Sequence, residues 1–321
     1  MSKTGTLSLE AVRVGHITTL ALSDKASLEE QTFFFRSQAY EINKTGHFVV
    51  CQKSAQHKFI LLHTFSQETI NADLICFIEQ ELASLQLFSS AQEYGAALFA
   101  VLASTFPSPR NQLHIWRRFC INTLCLFRSN LSQNEIFTSQ TSIHIAPFTA
   151  IYRRVLTLLV GETLLDVGSS FGFFPILAAE HDPRLHIIGY DINPDMIKLS
   201  TDLATITNTK HTVFSPQDVL AQTFIEQDRF DTVTAIHLIE HLTEEQLSLA
   251  LTHLLQVTRK RLIIAVPYEE EVQPLYGHYQ VFSEEKLQAW GKWCAEQLQD
   301  IGQYWTEQVM GGLLIVERKI E

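Results

Sequence analysis

Residues 164–173 read LLDVGSSFGF, a short apolar run followed by a turn that contains two glycines. The apolar run predicts a buried strand, and the residues from about Pro175 onward predict a helix. Gly168 and Gly172 have no Cβ, so the backbone of the turn can approach a ligand, and the start of a helix offers free N–H groups. We therefore expect a ligand-binding turn between a strand and a helix.

The spacing of the glycines argues against a dinucleotide site. Gly168 and Gly172 form a G-x-x-x-G pattern, whereas NAD and FAD sites use G-x-G-x-x-G. Asp166 directly precedes the turn, where its carboxylate would face the pyrophosphate of a dinucleotide. A negative charge at this position favours a positively charged ligand.

Two further carboxylates follow predicted strands. Asp191 closes the strand predicted over residues 185–190, and a carboxylate at that place in a doubly wound sheet can accept two ribose hydroxyls. Asp218 and Val219 follow the strand predicted over residues 211–214. There Asp218 would accept a hydrogen bond from an adenine amino group.

The second half of the chain alternates between strands and helices. The strand-like runs are at 163–167, 185–190, 211–214, 232–236 and 262–266. This alternation predicts a doubly wound α/β fold with a mostly parallel sheet. Two last β runs flank Gly311 and Gly312, which predicts an antiparallel pair at the sheet edge.

The first half of the chain has a different pattern. Two β-prone runs at 47–51 and 58–64 flank a polar segment and predict a hairpin. Apolar residues recur at helical spacing in three segments, at 71–87, 91–103 and 112–128. The polar segment 129–141 predicts a linker. We expect a smaller α+β accessory domain at residues 1–135, acting as a lid, a carrier-peptide docking site or a dimerisation element, and a second domain at residues 141–321.

Composition excludes several classes of protein. The chain has 321 residues, 46% of them apolar and 18% charged, with a formal net charge of -11. These values exclude a disordered or collagen-like chain and disfavour nucleic acid as a partner. The five cysteines include no C-x-x-C pair, so neither a disulfide framework nor a zinc site is expected. Without a secretion signal or a long apolar span, the sequence predicts a soluble, cytoplasmic protein.

Taken together, these landmarks resemble the class I S-adenosylmethionine-dependent methyltransferases over roughly residues 148–321. Five features occur in the order found in that family: the turn after Asp166, Asp191, Asp218, the strand with Asp231, and the strand at 261–267. The resemblance implies a seven-stranded Rossmann-like sheet with an antiparallel last strand, and S-adenosyl-L-methionine as cofactor. Ser170 stands where the family usually has a middle glycine, and we expect this small residue to have a modest effect on binding.

The resemblance also implies a set of cofactor-binding residues. Asp166 and the turn would lie near the methionine part, Asp191 at the ribose and Asp218 at the adenine. The full set implied is Asp166, Gly168, Ser169, Gly172, Asp191, Ile192, Asp218, Val219 and His237.

Histidines cluster after the fourth and fifth strands, where the reacting groups of such a sheet are expected. His237, Glu240 and His241 are spaced i, i+3, i+4, and His278 lies in the next loop. Methyl transfer to a hydroxyl needs near-attack geometry and removal of a proton. We expect His241 or His278 to act as the base, with Glu240 as a further catalytic residue. Each histidine would otherwise be a hydrogen-bonded core residue.

A divalent metal is the less favoured alternative. The candidate ligands are His237, Glu240, His241 and His278. Some members of the family with an E-x-x-E-H turn and a downstream histidine bind a metal, and His237 stands where they have the first glutamate. The run Glu269–Glu271 is expected to be a solvated charge run, or else an acidic patch that orients the acceptor.

The acceptor is expected to be a small molecule or a glycan. The segment 277–283 resembles family members that act on sugars, quinone precursors and other small metabolites. A looser similarity, at residues 237–242, 265–270 and 276–278, is to glycan methyltransferases of the mycofactocin pathway. The alternative function is a non-catalytic S-adenosylmethionine-binding protein that regulates or assembles with a partner.

Overall fold

The computed structural model describes residues 11–53, 58–88, 90–106, 111–133, 144–226, 228–273, 277–299 and 302–318. The described residues form two compact units. One contains the described residues up to 126 together with 144–145, and the other contains 127–133 and the described residues from 146 onward.

The amino-terminal unit is built on a five-stranded sheet. Its strands are β1 (Val12–Val14), β2 (Ile17–Ala21), β3 (Glu41–Lys44), β4 (Phe48–Gln52) and β5 (Phe59–His63), in the order β1-β2-β5-β4-β3. Its helices are α1 (Lys25–Ser37), α2 (Asp73–Leu82) and α3 (Ala91–Ser104), and α4 (Gln112–Ser132) follows. β2 and β5 are parallel and the other pairs antiparallel.

The antiparallel pairing of β4 and β5 confirms the predicted hairpin. β1, β2, β3 and α1 were not predicted. β1 and β3 are short and only partly buried, so they lack the apolar run that marks a strand in sequence. α4 continues to Ser132, so the prediction of a linker from residue 129 is wrong at its start, and its remainder from residue 134 lies outside the described residues.

The carboxy-terminal unit contains a seven-stranded sheet. Its strands are β6 (Thr163–Val167), β7 (His186–Asp191), β8 (Thr212–Pro216), β9 (Phe230–Ile236), β10 (Thr258–Val266), β11 (Gly302–Gln308) and β12 (Gly312–Arg318). Its helices are α5 (Ile145–Leu158), α6 (Phe173–His181), α7 (Pro194–Ile206), α8 (Glu244–Val257) and α9 (Glu284–Gln297).

The strand order β11-β12-β10-β9-β6-β7-β8 confirms the predicted doubly wound sheet. β12 is antiparallel to both of its neighbours, and the remaining pairs are parallel. The order of the strands reverses between β6 and β9. Ligands of open α/β sheets bind at the carboxyl ends of the strands at such a reversal.

The core of this unit lies between the sheet and its helices. Leu165, Val233 and Ile264 of three central strands are fully buried together with Leu251 and Leu254 of α8. Burial of each such side chain contributes roughly 1.5–3 kcal/mol. The carboxyl ends of the strands are therefore presented by a well-packed scaffold.

Helix caps set where the covering helices begin. The Ser283 hydroxyl accepts a hydrogen bond from the Lys286 N–H and caps the start of α9. Thr243 and Gln246 form a capping box at the start of α8, directly after the histidine segment. Among the residues that the structure describes, none of the helices combines the length and hydropathy that crossing a bilayer requires.

Candidate active site

The turn between β6 and α6 is held against the end of β7. The N–H groups of Gly168 and Ser169 both donate to the Tyr190 carbonyl oxygen at 2.8 Å. Gly168 and Gly172 have φ angles of 77° and 76°, in the left-handed region that favours glycine. A Cβ on Gly172 would lie 2.7 Å from Phe214 Cζ, so the turn cannot take a side chain at this position without rearrangement.

Asp191 ties the end of β7 to the same turn. One carboxylate oxygen accepts the Ser170 N–H at 2.8 Å, and the other accepts the Asn193 N–H at 2.8 Å. Each carboxylate oxygen has a second lone pair, so Asp191 can still accept ribose hydroxyls. The next residue, Ile192, is 69% exposed, which places an apolar surface beside the carboxylate.

Asp166 lies buried beneath the turn. Thr234 Oγ1 donates to its carboxylate at 2.6 Å. Burial, assisted by the negative charge of Asp191 and opposed by the Thr234 hydrogen bond, raises the pKa of Asp166 to about 7. Ser169 Oγ is also buried and has no hydrogen-bond partner among the described residues. The turn thus contains a carboxyl whose ionised form a cation would stabilise, and a hydroxyl available to a ligand.

The segment after β8 is held by His253, a residue that no sequence pattern had singled out. Asp218 accepts the Leu220 N–H at 2.8 Å. The carbonyl oxygen of buried Val219 accepts a hydrogen bond from His253 Nδ1 at 2.7 Å. His253 lies on the buried face of α8, and a histidine among the apolar positions of an amphipathic helix is the signal that could have revealed it.

His237 and Glu240 form a close pair after β9. His237 has a φ of 52°, and its N–H donates to the Ala265 carbonyl oxygen at 2.9 Å. Its Nδ1 lies 3.3 Å from Glu240 Oε1. Glu240 is fully buried, and neither of its carboxylate oxygens has a hydrogen bond of good geometry to any described residue. The helical turn expected from the spacing of His237, Glu240 and His241 is a short 3-10 helix over Ile239–His241. His237 lies before this helix.

His241 and His278 come together from two loops. Their ring centroids are 4.8 Å apart and their planes are nearly perpendicular, at 75°. His241 Nδ1 lies 3.2 Å from the Gly277 carbonyl oxygen. One ligand atom each from Glu240, His241 and His278 lie within 4.8 Å of one another. The structure therefore gathers the predicted catalytic residues into one cluster.

Backbone hydrogen bonds keep this cluster together. The N–H groups of Tyr279 and Gln280 donate to the Glu240 carbonyl oxygen at 2.9 and 3.3 Å. The Gln280 side chain donates to the Leu242 carbonyl oxygen at 2.7 Å. The loop after β10 is thus attached to the turn after β9.

The expectation of a solvated run at Glu269–Glu271 is correct for only two of its residues. Glu270 and Glu271 are exposed. Glu269 has a side chain that is only 17% exposed, and both of its carboxylate oxygens lie 3.0 Å from His278 Nδ1. Glu269 is therefore part of the histidine cluster, because its carboxylate lies beside the His278 imidazole.

Comparison with known proteins identifies part of the chain. Residues 158–310 match a family model described as a methyltransferase domain. No curated protein matches the chain. The similar solved structures include the methyltransferase domain of bacterial CtHen1-C, which is 17% identical with a TM-score of 0.46 and covers 54% of this chain and 100% of its own.

Two further solved structures have a comparably low sequence identity and TM-score. Magnesium protoporphyrin IX methyltransferase from Synechocystis PCC 6803, solved with bound S-adenosylmethionine, is 17% identical with a TM-score of 0.43, covering 66% of this chain and 100% of its own. The PH0226 protein from Pyrococcus horikoshii OT3 is 15% identical with a TM-score of 0.44, covering 59% of this chain and 94% of its own. Likenesses this distant carry no argument about the acceptor.

The family match covers the glycine turn and the strands β6 to β11 of the seven-stranded sheet, and it ends just before the reversed strand β12. It confirms methyl transfer as the predicted type of reaction and S-adenosylmethionine as the predicted cofactor. Residues 158–310 form a class I S-adenosylmethionine-dependent methyltransferase domain.

Proposed function

We propose that this protein transfers the methyl group of S-adenosylmethionine to a hydroxyl of a small molecule or a sugar, with a histidine as the base. The observation that carries the proposal is the contact of His241 with His278, whose ring centroids are 4.8 Å apart after β9 and β10. A hydroxyl acceptor must lose a proton as it attacks the methyl carbon. An imidazole at this edge of the sheet can accept that proton.

The proposed cofactor site follows the turn and the ends of β7 and β8. Buried Asp166 supports the placing of the methionine end here, since an ammonium group would stabilise the ionised carboxyl. The Ser169 hydroxyl, for which the described ranges contain no hydrogen-bond partner, supports it as well. Asp191 would accept the ribose hydroxyls, with exposed Ile192 beside it. The remaining proposed contacts are Gly168, Gly172, Asp218, Val219 and His237.

In the proposed reaction, the sulfonium methyl group moves in line to the acceptor oxygen. The oxygen–carbon bond forms as the carbon–sulfur bond breaks, and S-adenosylhomocysteine leaves with the electron pair. His241 or His278 takes the hydroxyl proton. Glu240 lies buried beside this pair, where its carboxylate would stabilise an imidazolium once the proton has moved.

A metal-assisted reaction is the second candidate. Glu240, His241 and His278 offer one ligand atom each within 4.8 Å, and both Glu240 oxygens lack a well-formed hydrogen bond within the described part of the chain. One carboxylate with two imidazoles fits a divalent transition metal. A bound metal would lower the pKa of the acceptor hydroxyl. We favour the histidine base, because His237 already lies 3.3 Å from the Glu240 carboxylate.

Calorimetry with S-adenosylmethionine tests the cofactor site. Asp191→Asn removes the negative charge while keeping the shape of the side chain. We expect binding to weaken by roughly 10- to 100-fold, the size expected for a hydrogen bond to a charged group. Asp195→Asn is the matched control, since Asp195 is exposed in the first turn of α7. Equal binding by wild type and Asp191→Asn would contradict the assignment.

Release of S-adenosylhomocysteine over a panel of sugars, phenols, amines, carboxylates and small RNAs tests the acceptor. The proposal expects turnover with a hydroxyl compound. Turnover confined to amines or to RNA would contradict it. Elemental analysis and a chelator separate the two mechanisms, because a histidine base predicts activity that survives chelation, whereas a required metal predicts loss that added metal restores.

We propose that the accessory domain at residues 1–135 covers the acceptor or mediates dimerisation or carrier-peptide docking. Sedimentation velocity over a range of concentrations tests dimerisation, and a constant monomer mass would contradict that role. The cytoplasmic location stays a prediction from the cysteine pattern.

A further inference from the structure

Glu269 and His278 form the most directly paired carboxylate and imidazole near the proposed acceptor site. Both Glu269 oxygens lie 3.0 Å from His278 Nδ1. The two side chains are only 17% and 11% exposed. Partial removal from water strengthens such a bond relative to one on an open surface.

We propose that Glu269 is a positioning residue that holds His278 in the tautomer with its proton on Nδ1. The inference rests on the proposed function of His278 as a base. An ionised carboxylate can only accept hydrogen bonds, so the nitrogen that faces it must donate. The basic lone pair of neutral His278 is then on Nε2.

The backbone fixes both ends of this pair. Glu269 follows β10 by way of Pro267 and Tyr268, and Pro267 has a restricted φ. A Cβ on Gly312 would lie 2.6 Å from the Tyr268 hydroxyl oxygen, so this stretch packs closely on β12. The His278 N–H donates to the Gln273 carbonyl oxygen at 3.1 Å. The backbone on each side of the pair thus has a contact that supports the position of its side chain.

His241 has the same arrangement with a different acceptor. Its Nδ1 faces the Gly277 carbonyl oxygen at 3.2 Å, and a carbonyl oxygen can only accept. Both imidazoles of the cluster are thus protonated on Nδ1 when neutral. A group that orients a histidine through Nδ1 and leaves Nε2 for chemistry is a general arrangement in enzymes.

The tautomer can be measured without an acceptor. Protein labelled with ¹⁵N in histidine gives long-range proton–nitrogen spectra that distinguish the two tautomers, recorded at a pH where the ring is neutral. His278→Gln identifies the signal of His278 by its disappearance. We expect the wild type to carry the proton on Nδ1, Glu269→Gln to retain it there through its carboxamide oxygen, and Glu269→Met to move it to Nε2.

Glu270→Met is the matched control, because Glu270 is the exposed neighbour of Glu269. We expect it to leave the His278 signal unchanged. A wild-type signal with the proton on Nε2 overturns the proposal, even where Glu269→Met fails to fold. Retention of the Nδ1 proton in folded Glu269→Met also overturns it.

Kinetics with an acceptor that is turned over add an independent readout. We expect Glu269→Met to lower kcat by roughly 10- to 100-fold, less than the roughly 100- to 10,000-fold that a general base itself contributes, because the imidazole is still present. The KM for S-adenosylmethionine should be unchanged, and Glu269→Gln should restore part of kcat. Failure of every acceptor would contradict the proposed function and leave the tautomer result standing. An unchanged kcat in Glu269→Met would overturn the role of Glu269 alone.

Discussion

The Ser170 N–H donates a hydrogen bond of 2.8 Å to the Asp191 carboxylate, so the end of β7 holds the turn that follows β6. Ser170 has a φ of 48°, in the left-handed region. The residue that departs from the usual glycine of the family therefore adopts the backbone conformation that glycine adopts easily. Its N–H contact with Asp191 offsets part of the cost of that conformation.

Substitutions of Ser170 test its left-handed backbone conformation through the stability of the protein. A left-handed conformation costs about 1–2 kcal/mol for an ordinary residue. Ser170→Gly removes this cost but makes the unfolded chain more flexible, so we expect the free energy of unfolding to change by less than about 1 kcal/mol. Ser170→Val should lower it by about 1–3 kcal/mol, since β-branched residues tolerate this region poorly. Urea unfolding measures both, and equal stability of Ser170→Val and wild type would contradict the assigned conformation.

Gly172→Ala should disrupt the turn. The new Cβ would lie 2.7 Å from Phe214 Cζ and 2.8 Å from Ser200 Cβ, at a φ of 76°. Overpacking and strain together should cost about 2–4 kcal/mol of unfolding free energy and weaken S-adenosylmethionine binding.

The matched control for this change is Gly95→Ala. Gly95 lies in α3, and a Cβ there would have no atom within 4 Å. Alanine should stabilise this helix by roughly 0.5–1 kcal/mol. Thermal unfolding of the two variants should therefore shift in opposite directions, and a shift in the same direction would contradict the local geometry of the turn.

Asp166→Asn should stabilise the protein at neutral and alkaline pH. Burial raises the pKa of Asp166 to about 7 from the ordinary value of 3.8, so the folded state favours the protonated carboxyl. Ionisation of Asp166 therefore lowers the free energy of unfolding. This loss is absent below about pH 4, grows as the pH rises toward 7, and is then constant, on the order of 4 kcal/mol at most. Urea unfolding at about pH 8 should show the variant as the more stable protein, and at about pH 4 the difference should disappear.

Asp166→Asn should also weaken the binding of S-adenosylmethionine. Wild type should bind S-adenosylmethionine more tightly as the pH rises through about 7, because the ionised Asp166 attracts a cationic ligand. Calorimetry at several pH values should be performed on both wild type and Asp166→Asn. Because the ligand titrates in the same way in both experiments, the difference between the two proteins reports Asp166 alone. Parallel pH dependences in the two proteins would contradict a contact between Asp166 and the cofactor.

His253→Leu should loosen the segment after β8. It removes the 2.7 Å hydrogen bond to the Val219 carbonyl oxygen and leaves that buried acceptor unpaired, which costs about 1–3 kcal/mol. S-adenosylmethionine binding should weaken as well if Val219 lines the adenine site.

Leu249→Ala on the same helix is the control, because Leu249 is 44% exposed. We expect it to change the unfolding free energy by at most about 0.5 kcal/mol. Hydrogen exchange at residues 218–220 provides a local measure, and unchanged exchange in His253→Leu would show that the hydrogen bond does not hold the segment.

Much of the large sheet was predictable because its strands are continuous apolar runs. β6 occupies the predicted residues 163–167, and β10 begins four residues before the predicted 262 because its first residues are polar. The small sheet was mostly missed, since β1 and β3 are short and partly exposed. Apolar periodicity reports burial, and strands that are hardly buried leave little pattern.

Local sequence alone determined the glycine turn, the acidic ends of β7 and β8, and the histidine-rich turn after β9. Each of these depends on residues close together in the chain, where backbone geometry follows from residue type. Only the tertiary structure decided the partners of His278 and Val219. Glu269 lies beside His278 although the two are separated in the chain, and His253 of α8, a helix that packs on β9 and β10, reaches Val219 in the segment after β8. Such contacts depend on how separate elements pack, which no local pattern encodes.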